Sequence, residues 1–125
     1  MNSAKELEKI KLSFKKLIEE SQNLSDFIVE FELDKNSPEL YDIYTDIVYQ
    51  GLDSIGAFIE NIQSLEDIIK NKNIFLGIDL DIITKLEEFR PKSETERIIL
   101  IKLETFVNGI KEFYNTINNL ISRPR

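Results

Sequence analysis

The residues of this 125-residue chain that could carry chemistry are carboxylates, hydroxyls and lysines, because it has neither histidine nor cysteine. Without imidazole the usual base near neutral pH is missing, and without a thiol there is no thiolate nucleophile and no disulfide. The Glu-x-x-His pairs by which helical bundles hold two irons are excluded for the same reason. The four glycines are scattered, so neither G-x-x-x-x-G-K-[ST] nor G-x-G-x-x-G occurs to cradle a phosphate. Two carboxylates can share acid–base work only where a pocket drives their proton affinities apart, and no pattern here predicts one. Asp79-Leu80-Asp81 invites a metal reading but lacks the other oxygen ligands and the turn glycine of a calcium loop. A helix N-cap followed by a first-turn acid, favoured by the helix dipole, explains it better. The chain is therefore expected to be non-catalytic, with no cofactor and no metal.

The pattern that does single out a surface lies between Pro38 and Lys70. With Tyr41, Val48, Ile55, Ile62 and Ile69 at one heptad position, Glu39, Asp46, Asp53, Glu60 and Asp67 all fall opposite them. Helical rise sets them roughly 10 Å apart, too far to share one ion. Asp42 lies beside the row, and Tyr49 sits next to Asp46 and Asp53. Outward heptad positions are ordinarily polar and solvated, but they ordinarily mix signs; no Lys or Arg interrupts this row. A tyrosine among carboxylates is a natural anchor for a protein partner. Asp42, Asp46, Tyr49, Asp53, Glu60 and Asp67 are accordingly the candidate partner-binding residues.

The elements that must present this row read as long amphipathic helices. Ser3 and Glu6 have the spacing of a capping box, followed by Leu7, Ile10, Phe14, Leu17, Ser21, Leu24, Ile28 and Phe31 in alternating steps of three and four. Phe27, Val29, Phe31 and Leu33 also alternate as a strand would, but the heptad passes through them without slipping, which favours helix. Asp34-Lys35-Asn36-Ser37-Pro38 is a break, with Ser37 as N-cap and Pro38 at the first helical position. The second helix carries Tyr41, Tyr44, Val48, Gly51, Ile55, Phe58, Ile62, Leu65 and Ile69 as its seam and is expected to reach Lys70. Gly51 and Gly56 mark either a bend or a close helix approach. Asn71-Lys72-Asn73 ends it, and residues 74–78 form an apolar loop over the core. A short helix from Asp79 to about Phe89 turns Ile82, Ile83, Leu86 and Phe89 inward, and Pro91 stops it. Ser93 and Glu96 form a second capping box. The last helix then shows Ile99, Leu103, Phe106, Ile110, Phe113, Ile117 and Leu120, with Leu100, Val107, Tyr114 and Ile121 alongside. An apolar face that wide suits a bundle better than a two-stranded coil. The run Ile98-Ile99-Leu100-Ile101 cannot point inward as a whole; its outer members are expected to be covered by the short helix and the 74–78 loop.

The fold expected is all-α, a single elongated antiparallel bundle of three long helices and one short one spanning residues 1–125. Length and a 42% hydrophobic content suit one domain with a real core. No apolar run approaches a bilayer span, and the charged N-terminus does not resemble a signal peptide. With no cysteine, the chain reads as cytoplasmic. The net charge of −7 argues against nucleic acid and anionic membranes and for a basic protein partner. That charge is concentrated: residues 36–89 hold 3 basic and 11 acidic residues, a net of −8, while 90–125 hold 7 and 4, a net of +3. Two roles fit. One is an acidic binding protein, most concretely a bacterial immunity or antitoxin protein that neutralises a basic toxin. The other is a structural or adaptor protein that self-associates or docks through its bundle. Monomer and dimer are both compatible with the sequence.

Overall fold

The computed structural model describes residues 3–60 and 80–122, and within them every side chain except those of residues 3, 4, 54, 58, 59, 80, 118 and 120–122. The protein is an all-α helical bundle. Its described elements are α1 (Ser3–Glu30), α2 (Leu33–Asn36), α3 (Pro38–Glu60), α4 (Leu80–Glu88) and α5 (Glu94–Ser122). The extension of the second helix through residues 61–70, the 74–78 loop, the Asp79 cap, the Ser3 cap and the side chains of Leu120 and Ile121 lie outside the described residues.

The heptads of α1 and α5 are packing seams, although Leu7, Phe14 and Phe31 of the expected α1 seam are only half-buried. Ile10, Leu17, Leu24 and Ile28 are buried with Ile99, Leu103, Phe106, Val107, Ile110, Phe113 and Ile117. Ser21, the polar member of the α1 seam, is also buried and donates its hydroxyl to the Ile18 carbonyl at 2.7 Å, so its polarity is satisfied locally. The two helices run antiparallel. Leu17 lies against Gly109, where an added Cβ would stand 3.0 Å from its Cδ2, and the Lys102 ammonium sits 4.4 Å above the Phe27 ring centre. The glycine lets the α1 side chain approach the α5 backbone closely.

On α3 the expected seam needs correction. The buried line is Leu40, Ile43, Ile47, Gly51 and Ile55, whereas Tyr41, Tyr44 and Val48 are only half-buried. The buried face is turned by roughly half a turn-step, about 60° at 3.6 residues per turn, from the one read off the sequence. A tyrosine keeps a hydroxyl that is easiest to satisfy at the margin of a core, and the purely aliphatic stripe next to it takes the centre. Helix α3 passes through Gly51 and Gly56 unbroken; Gly56 meets Phe14 of α1 at an ordinary contact distance of 3.5 Å from its would-be Cβ. Short α4 turns Ile82 and Leu86 inward and half-buries Ile83, and Phe89, the residue that follows it, is buried too.

The break after α1 is more structured than the sequence suggests. Glu32 adopts φ 47°, ψ 49°, the left-handed region, and reverses the chain at the end of α1 as a glycine would. The Asn36 side-chain amide donates to the Phe31 carbonyl at 2.8 Å, filling an acceptor that the ended helix leaves open. Between them the four residues of α2 form a helical turn that buries Leu33. The strand reading of Phe27–Leu33 fails, but its last residue is a core residue all the same.

Candidate functional site

Helix α3 holds the acidic row outward. Leu40, Ile43, Ile47, Gly51 and Ile55 fix its inner face, and positions 42, 46, 49, 53 and 60 then lie roughly 150° around the helix. Glu39, Asp42, Asp46, Asp53 and Glu60 are all exposed, and Tyr49 retains 74% of its accessible surface. Asp67, the sixth candidate, lies outside the described residues. The correction to the α3 seam does not disturb the row, because a turn of that size still leaves every acid on the solvent side.

The 23 residues of α3 include five acids and no Lys or Arg. Among the described residues, none of these acids forms an ion pair with a basic side chain. Their negative field is therefore uncompensated within the helix that carries it, and it projects into water beside a large exposed ring. Such a surface can steer and hold a positively charged partner. It cannot concentrate carboxylates on one atom: among the described residues no three Asp or Glu side chains come close enough to hold a metal ion.

Other surfaces are less pointed. The run Ile98–Ile101 divides as one helix must divide it: Ile99 and Leu100 are buried, Ile98 is half-buried, and Ile101 is 51% exposed. Ile101 is therefore not buried as expected. It rims a shallow groove between α1 and α5 that includes Leu24, Lys102, Thr105 and Phe106. Farther along the same two helices, a second depression is lined by Ser13, Lys16, Glu20, Gly109, Glu112 and Thr116. Ser13 and Lys16 have the S-x-x-K spacing. Both are exposed and no hydrogen bond joins them, whereas an activated nucleophile needs its base within hydrogen-bond reach.

The Ser93–Glu96 cap is half as expected. Ser93 Oγ accepts the Glu96 N–H at 3.1 Å, but the Glu96 carboxylate does not return to the Ser93 amide. It accepts from the Lys92 N–H at 2.7 Å and from the Ser37 hydroxyl at 2.5 Å. Ser37 stands at the N-cap of α3 as expected, with Pro38 the first helical residue and its own carbonyl accepting the Tyr41 N–H at 2.9 Å, while its hydroxyl proton goes to α5. These two donors hold the Glu96 carboxyl below its ordinary value. No described helix is long and apolar enough to cross a membrane. Searches of protein-family models, of curated proteins and of solved structures return no match to this chain.

Proposed function

We propose that this protein is a non-catalytic binding protein that presents the outer face of α3 to a basic protein partner in the cytoplasm. Its most concrete form is a bacterial immunity or antitoxin protein that occludes a basic toxin. The observation that carries the reading is the run of exposed acids at Asp42, Asp46, Asp53 and Glu60 around the exposed Tyr49 ring, on a helix without a single basic residue. Such a role asks for charge, a rigid scaffold and an aromatic anchor, and for no catalytic group.

The experiment is affinity capture from the native host, followed by binding of the captured partner to the wild type and to the Asp46→Lys, Asp53→Lys double variant. Both positions are exposed, so the fold tolerates the change. Binding should weaken with salt and drop at least ~100-fold in the double variant, since truncating or reversing interface charges costs several kcal/mol. Undiminished binding removes α3 as the interface.

A second reading, an adaptor that self-associates through its bundle, is favoured by the exposure of Ile101 above the α1–α5 groove. Light scattering separates the two: a stable dimer that Ile101→Lys dissociates supports the adaptor, and a clean monomer removes it.

A further inference from the structure

We propose that the contact between Ser37 and Glu96 is an acid-released latch that joins the α2–α3 corner to the α4–α5 turn. The two residues are 59 positions apart, and their side chains meet at 2.5 Å. Ser37 is buried to 6% relative exposure, so its hydroxyl has to find an acceptor within the protein. Both oxygens of Glu96 are engaged: Oε2 by Ser37 and Oε1 by the Lys92 amide. One carboxylate therefore ties the start of α3 to the start of α5. The core residues that these helices share are aliphatic and aromatic, and such contacts hold nearly as well after a small slide; a directional hydrogen bond does not.

The latch depends on charge. Hydrogen bonds to an ionised acceptor are about twice as strong as neutral ones. A proton on Glu96 replaces two charge-assisted bonds with weaker ones, and the oxygen that takes it becomes a poorer acceptor for the donor it faces. Folding lowers the affinity of Glu96 for that proton relative to its ordinary value of 4.5. The contribution is thus complete above pH 4.5 and lost as pH falls through the lower value that Glu96 has in the closed corner. Other charged groups face the same depression: Glu39 from α3, Lys85 and Glu88 from α4, and Arg90 and Lys92 from the turn. On α5 itself, Glu94 and Arg97 are paired with each other. Glu39 and Glu88 are carboxylates at the same depression, so the test has to separate Glu96 from them. Release would loosen the corner from which α3, with its acidic face, departs.

Amide hydrogen exchange, corrected for intrinsic rates and followed from about pH 6 to about pH 3, reads the latch directly. The amides of Asn36, Ser37 and Lys92 should lose protection roughly tenfold or more relative to those at the centre of α5, given the strength of a hydrogen bond to a charged group. Glu96→Gln should show the low protection at every pH, and Ser37→Ala should flatten most of the pH dependence while leaving the carboxylate in place. An acid-dependent loss of equal size in Glu96→Gln would assign the effect to Glu39 or Glu88 and overturn the proposal. So would a carboxyl resonance of Glu96 in the wild type that titrates at or above its ordinary value, a measurement that needs no variant.

Discussion

The rotation of the α3 seam can be tested with two neighbouring residues. Ile47 is fully buried, at 0% exposure, while Val48 is half-buried on the margin of the core. Truncating Ile47 to Ala loses its transfer energy and leaves a cavity, about 3 kcal/mol within the usual range for such sites. Truncating Val48 to Ala removes less apolar volume, only partly withdrawn from water, and gains a few tenths from the helix preference of Ala; the net cost is about 0.5 kcal/mol. In urea, with a slope of ~1.5 kcal/mol/M for a domain of this size, the two midpoints should differ by roughly 1.5 M. Had the tyrosine-bearing stripe been the true seam, the order would reverse, with Val48→Ala the more damaging. Equal losses would also refute the assignment, because they would mean that α3 has no defined inner line.

Two further outcomes follow from other packing details. Gly56→Ala places its new methyl at an ordinary 3.5 Å from Phe14, so it should stabilise by up to ~1 kcal/mol through helix preference alone, raising the melting temperature; Gly109→Ala meets Leu17 at 3.0 Å and should gain much less or lose. Burial pushes the Tyr114 phenol up to about 12 from an ordinary 10, so stability is intact below pH 10 and falls as pH rises from 10 towards 12; ultraviolet titration should find a late step that Tyr114→Phe abolishes.

How far the fold could be read depended on how many faces of each helix are apolar. On α5 two adjacent stripes, Ile99–Leu103–Phe106–Ile110 and Leu100–Val107, both enter the core, so any choice of phase finds buried residues. On α3 the stripes through Leu40 and through Tyr41 both step by three and four, and periodicity cannot rank them; the neighbouring helices do. The corner was hidden for another reason. Glu32 carries none of the glycine signal of a left-handed turn, and its conformation is held by the hydrogen bonds around it. Ser37 and Glu96 each look like a local cap, and only tertiary structure brings them to each other. The acidic row was legible because it needs no tertiary information: once α3 is a helix with an inner aliphatic line, Asp42, Asp46, Tyr49 and Asp53 have nowhere else to point.

The order of the helices also shapes the electric field around the molecule. Helices α1 and α4 run towards the Ser37–Glu96 corner, and α3 and α5 start from it. Two positive and two negative peptide-dipole ends therefore gather at that pole, and their far fields largely cancel. What an approaching molecule senses at a distance is then mainly side-chain charge, and among the described residues the flank of α3 carries five acids and no Lys or Arg. The bundle would orient an incoming cation towards its side rather than its tip.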